Sequence, residues 1–185
     1  MFKMNNILQK GLTLTEMLIV VSIAVIFSSM VFANYGTGKD SMALERAGQK
    51  LAQDLRRVQE MAMAGSFGSG VNAVGIYFDE ANPNVYIIFD DKNANYLYDG
   101  SGEKREEISI EAGIKICDIK NNDTPVSNNY ISISFAPPEP VTRIENSNTG
   151  NNISIILSPQ NDCPAPTKSR IVNINNVGRI EVNNP

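Results

Sequence analysis

The 185-residue chain contains no histidine. The usual proton shuttle near neutral pH and the commonest zinc ligand are both missing, so catalysis would have to use other groups. Cysteine is almost as scarce. Cys117 and Cys163 are the only two, and they lack C-x-x-C spacing, which excludes a zinc knuckle and a thioredoxin-like redox pair. They could form a disulfide outside the cytosol, where closing a loop of that length would contribute about 3–4 kcal/mol in the chain-entropy model, or stay as two separate thiols. Positive charge is also short. Sixteen Lys and Arg against twenty Asp and Glu give a net charge of -4 and a pI near 4.9. That balance argues against nucleic acid as a partner, a local basic patch excepted. There is no G-x-S-x-G, phosphate loop or metalloprotease motif, and no acid/base pair stands out among Asp79, Glu80, Asp90, Asp91, Glu103, Glu106, Glu107 and Glu111. An enzyme is not expected, and no internal repeat is visible.

What the chain does have is an uneven distribution of its apolar residues, which make up 42% of the total. Met1–Lys10 is short and polar, with Lys3 and Lys10; Gly11 follows, and Leu12 to Ala33 is almost wholly apolar. As a helix, Leu14 to Ala33 would measure about 30 Å, the thickness of a bilayer's hydrocarbon core. Lys3 and Lys10 ahead of this span place the N-terminus inside and the bulk of the chain outside. Three readings fit such a segment: a secretory signal peptide cut after Val31-Phe32-Ala33, an uncut signal anchor, and a leader cut ahead of a retained helix. Glu16 discriminates among them. A carboxylate within a span costs on the order of 2.5–3.5 kcal/mol and calls for a partner, which a disposable signal has no reason to supply.

Lys10-Gly11-Leu12-Thr13-Leu14-Thr15-Glu16-Met17-Leu18 resembles the processing site of the type IV pilin and type II secretion pseudopilin family. Leu12 stands where that family usually has phenylalanine, and Thr15 where it has isoleucine. The resemblance implies cleavage by prepilin peptidase between Gly11 and Leu12, N-methylation of Leu12, and an assembly role for Glu16, paired with the Leu12 ammonium of a neighbouring subunit. It further implies other pilins and an inner-membrane assembly platform as partners. It places the chain in the cytoplasmic membrane by a single pass and then in an extracytoplasmic filament.

After a break expected at Asn34–Gly38, Asp40 to Ala64 reads as an amphipathic helix with Leu44, Ala47, Leu51, Leu55, Val58 and Ala62 on one stripe. From Ser66 the period changes to short β-like runs: Val71–Phe78, Val85–Phe89, Ile108–Ile116, Tyr130–Phe135, Ile153–Leu157, Arg170–Ile174 and Arg179–Val182. Asn175–Gly178 would turn the last two into a hairpin. Asn121–Asn129, Pro137–Pro140 and Asn146–Asn152 read as solvated loops. The expected fold class is α+β, a pilin-like fold with a long N-terminal helix packed on a C-terminal antiparallel sheet domain. Its parts are 1–11 (leader), 12–33 (membrane and assembly helix), 34–65 (amphipathic helix) and 66–185 (β-rich domain). Both ends of the chain resemble the GspH/FimT group of minor pseudopilins and minor pilins, through Leu51 to Ala62 and through Ser169 to Ile180.

The run Asp90 to Glu103 sets side-chain oxygens at alternating positions. Asp91, Asn93, Asn95, Asp99 and Glu103 could wrap a calcium ion, although Tyr96 stands where an EF-hand turn wants glycine and Glu103 is one place late. The better-supported alternative is a hairpin loop whose Asx side chains bond to its own backbone. Some FimT-like proteins bind DNA through a basic closing hairpin, which here would rest on Arg170 and Arg179. Glu181 beside Arg179 and the lack of a basic cluster weigh against it.

Overall fold

A computed structural model describes residues 11, 13–65, 68–137, 141–144, 152–163 and 166–184. The expected leader Met1–Lys10, the loop residues Pro138–Pro140 and most of Asn146–Asn152 lie outside the described residues. The chain divides into two compact units, Met1–Lys39 and Asp40–Pro185. One helix, α1 (Leu14–Met63), contributes to both. The expected break at Asn34–Gly38 is absent from its backbone: two glycines cost about 1 kcal/mol each relative to alanine, and no proline forbids the helix.

Within the first unit the apolar run Leu14–Phe32 is helical, long and apolar enough to cross a membrane, and unburied. In the second, the stripe anticipated from the three-and-four spacing is the buried one: Leu44, Ala47, Leu51, Leu55, Val58 and Ala62 are all buried, and Met42 and Met63 on other faces are exposed.

Two five-stranded antiparallel sheets share this unit. The first has the order β3-β2-β1-β6-β7, with β1 (Ala73–Asp79), β2 (Val85–Asp91), β3 (Lys104–Ser109), β6 (Tyr130–Ala136) and β7 (Val141–Ile144). The second has the order β10-β9-β8-β4-β5, with β4 (Ile114–Asn121), β5 (Thr124–Pro125), β8 (Asn152–Pro159), β9 (Arg170–Asn175) and β10 (Ile180–Asn183). One face of each sheet meets the helix stripe in a single core; Val74, Ile76 and Phe78 come from β1, and Ile153, Ile155 and Leu157 from β8. Hydrogen bonds from α1 reach both sheets. Arg57 pairs with Glu106 at 2.9 Å, and Gln59 donates to the Gly178 carbonyl at 2.6 Å. The buried Tyr86 hydroxyl donates to Asp54 at 2.6 Å; burial first, and then that carboxylate, raise it above the ordinary phenol range.

The single strand expected over Ile108–Ile116 is two strands. β3 ends at Ser109, Gly113 turns the chain at φ 87°, and β4 begins at Ile114. The charged start of β3 was missed because an edge strand beside a helix need not show an apolar run. The Asn175–Gly178 hairpin forms as expected, with the Asn175 side chain accepting the N–H groups of Val177 and Arg179.

A β-bulge decides the register of β4. Ile116 pairs with Leu157 and Asp118 with Ile156, leaving Cys117 as the extra residue. The insertion resets the alternation, so Ile119 rather than Asp118 enters the core. The Ile119 N–H is accepted by Glu80 at 3.0 Å. Burial, with Asp118 and Asp79 adding repulsion, raises the Glu80 pKa above the ordinary 4.5.

Two predictions follow from this packing. Leu55→Ala should destabilise the domain by about 2–5 kcal/mol in urea unfolding, whereas Met42→Ala should leave the midpoint nearly unchanged. Because folded Glu80 holds its proton more tightly than the unfolded chain does, stability falls as pH rises from 4.5 through the folded pKa, and the penalty persists at neutral pH. Glu80→Gln keeps an acceptor for Ile119 and removes the charge. Its melting temperature should exceed the parent's at pH 7, and the gain should vanish below the ordinary carboxylate range.

Candidate functional site

At the start of α1, Gly11 is exposed and Leu12 lies outside the described residues. Thr13 caps the helix. Its hydroxyl oxygen accepts the Glu16 N–H at 3.2 Å, and its carbonyl accepts the Met17 N–H at 3.1 Å. Thr13-x-x-Glu16 is the spacing of a capping box, a signal present in the sequence. Among the described residues no side chain or backbone group bonds the Glu16 carboxylate. Further along, the Ser22 and Ser29 hydroxyls donate to the Leu18 and Ile26 carbonyls, each at 2.7 Å, so their polarity is satisfied without water.

The Asx-rich loop lies on the face of the first sheet opposite the core. Gly75 makes room there: a Cβ at this position would meet the Phe89 ring at 2.5 Å. Phe89, Tyr98, Tyr77 and Tyr130 follow one another across the face with centroid spacings of 4.9–5.8 Å. Ser132 accepts the Tyr98 N–H, and Ser134 donates to the Tyr96 carbonyl.

The oxygens anticipated as calcium ligands are committed within this loop. Fully buried Asp91 accepts the Ala94 N–H at 2.8 Å and the Tyr96 N–H at 3.0 Å. Asp99 accepts both the Asn93 and Asn95 amides at 2.6 Å, while the carbonyl oxygens of those amides take the N–H groups of Asn95 and Leu97. Glu103 accepts the N–H groups of Lys92 and Asp99. Backbone N–H groups thus bond the carboxylates from inside the loop, the arrangement of a hairpin loop whose Asx side chains bond to its own backbone. Among the described residues no group of three or more Cys, Asp and Glu is placed to hold a metal ion. Tyr96 takes the sharp turn with φ 66° in place of the glycine. That conformation is costly for a bulky residue, and it is held by Asp91, Ser134 and the Arg143 guanidinium 4.0 Å over the ring.

Cys117 and Cys163 are joined as a disulfide with Cα atoms 5.6 Å apart, tying the bulge of β4 to the segment after β8. Both arginines of the closing region have carboxylate partners. Arg170 donates to Glu45 through Nε at 2.7 Å, and Arg179 pairs with Glu181. Hydrogen bonds from Gln49 and then from Arg170 lower the Glu45 pKa. The carboxylates considered as an acid/base pair are likewise dispersed into ion pairs and turns, as with Asp79, which accepts from Ala81 and Asn82.

No family model and no curated protein matches the chain. Among solved structures, it is similar to the minor pseudopilin EpsH from the type 2 secretion system of Vibrio cholerae. The identity is 12%, over 77% of this chain and 97% of that one, with a TM-score of 0.45.

The loop geometry makes a direct prediction. Asp91→Ala strips a charged acceptor from two backbone N–H groups and should lower stability by about 2–4 kcal/mol. The loss should be the same in calcium and in chelator, with the parent's melting temperature unmoved by either. A calcium-dependent rise in the parent that Asp91→Ala abolishes would restore the metal reading.

Proposed function

We propose that the chain is a minor subunit of a type II secretion pseudopilus or a related type IV pilus, working by assembly rather than by turnover. In this reading prepilin peptidase cuts between Gly11 and Leu12 and Leu12 is N-methylated. The helix from Leu12 to Ala33 then stores the subunit in the inner membrane, with its N-terminus cytoplasmic and the β-rich domain outside. An inner-membrane platform extracts it into a filament of other pilins.

Glu16 is the observation that carries this reading. It is a carboxylate in the first turn of an exposed apolar helix, without a partner among the described residues. A position near the helix N-terminus stabilises a carboxylate by about 0.3–1 kcal/mol. Insertion into hydrocarbon costs on the order of 2.5–3.5 kcal/mol at the bilayer centre and less near the end of the span where Glu16 lies, so the deeper Glu16 is drawn into an apolar filament core the more a counter-charge is needed. The N-methylated ammonium of a neighbouring Leu12 supplies the missing charge, and Thr13 holds Glu16 at the helix terminus from which it can be reached. The DNA-uptake alternative draws less support, since Arg170 and Arg179 are each engaged by a carboxylate.

Glu16→Ala tests the assembly role separately from membrane insertion. The variant should fractionate with membranes as the parent does, because the apolar run is intact. Its recovery in sheared filaments should fall at least about tenfold, the effect of losing roughly 1.4 kcal/mol per contact. Equal incorporation of Glu16→Ala and parent would remove Glu16 from assembly.

A further inference from the structure

A cavity of about 310 Å³ opens beside the start of the buried part of α1, between Ser41 and the segment that follows the disulfide. Leu44 is its apolar lining residue. Its polar lining comes from Ser41, Thr167, Lys168, Ser169, Arg170 and Asn184. Every one of these side chains can donate a hydrogen bond, and among the described residues no carboxylate lines the space. The wall is also fixed in place. Asp162 accepts the N–H groups of Thr167 and Lys168 at 2.8 and 2.9 Å together with the Thr167 hydroxyl, and these bonds, led by the Lys168 N–H, lower its pKa. Ser158 donates to the Lys168 carbonyl at 3.0 Å, the Gln160 N–H bonds to Gly113 at 2.9 Å, and Cys163 is bonded to Cys117.

Of the two cations in the lining, Arg170 is paired with a carboxylate and, among the described residues, Lys168 is not. Asp162 is occupied by the loop's own backbone, and Glu45 takes the Nε and one Nη of Arg170. Among the described residues no acceptor is bonded to Lys168 Nζ. A lining of hydroxyl, amide and ammonium donors on a loop whose backbone is held in place, with its unpaired charge on Lys168, is complementary to a compact oxyanion. Negative overall charge means that attraction must be local, and the lining supplies it.

We propose that this cavity binds a phosphate group. Ser41 lies nine residues beyond Phe32, the end of the apolar helical run, a contour of at most about 30 Å. This short separation along the chain makes a phospholipid headgroup one candidate source of the phosphate, a point that rests on the membrane reading; binding of the free ion does not.

The full chain in neutral-detergent micelles can be titrated while backbone amide NMR signals of Lys168, Ser169 and Arg170 are followed. Sodium phosphate should shift them saturably, and sodium chloride at matched ionic strength should not. Lys168→Gln should weaken the phosphate response about tenfold, the loss expected for one charge-assisted hydrogen bond, with no change in melting temperature, and Lys168→Arg should restore it. Phosphatidylglycerol added to the micelles, compared with a galactosyl diacylglycerol lacking phosphate, separates the sources. A response to phosphatidylglycerol alone of the two lipids supports the headgroup, and a response to inorganic phosphate without either lipid supports the free ion. Equal shifts with phosphate and chloride, or none with phosphate and either lipid, would overturn the site.

Discussion

The buried stripe of α1 from Ala43 to Ala62 is the contact on which the rest of the domain depends. The stripe and the inner faces of both sheets belong to one buried cluster. Leu51, Leu55 and Val58 sit at its centre, almost without solvent contact. The polar flanks of the same helix then set the lateral position of each sheet: Asp54 and Arg57 engage Tyr86 and Glu106 on one side, and Gln59 and Glu45 engage Gly178 and Arg170 on the other. Exposed ion pairs of this kind contribute little energy each, so they fix position while the stripe supplies the stability.

The N-terminal part of the same helix meets the opposite physical demand. From Leu14 to Phe32 its apolar side chains are exposed, and a sequence of that composition requires either lipid or other helices around it. Ser22 and Ser29 turn their hydroxyls back on the helix, which suits a medium without water. Glu16 is the ionisable residue of this run, and among the described residues its carboxylate has no such internal partner. A carboxylate so placed gives the helix a reason to meet a cation from another chain, and assembly is the process that would deliver it.

Periodicity made the helix stripe and the main strands legible in the sequence, because burial of alternate or every third and fourth residue leaves a direct mark. Each failure had a local cause. The division between β3 and β4 was hidden because Ile108, Ile110, Ile114 and Ile116 continue an apolar alternation across a turn that only Gly113 marks. The bulge at Cys117 was invisible because a one-residue insertion appears in a sequence only as a phase change, here between Ile116 and Ile119. β7 was missed because Val141–Ile144 is a four-residue edge strand with a charged arginine, too short to show a period. At the candidate sites, residue types were readable and their commitments were not. The Asx run announced a loop rich in oxygen ligands, yet whether those oxygens faced a cation or the backbone N–H groups of Ala94 and Tyr96 depended on turns that composition does not specify. The donor-lined cavity at Lys168 joins residues more than a hundred positions apart, and it takes shape only when β9, the disulfide and α1 are brought together.

The central claim is that the apolar N-terminal helix is a processed assembly element. The measurement that reaches it most directly is intact mass and N-terminal peptide analysis of the protein taken from membranes of cells that possess a prepilin peptidase. The account predicts a chain that begins at Leu12 and carries one methyl group on its amino nitrogen. A chain that retains Met1, or one that begins at Asn34 after removal of the whole apolar run, would contradict it.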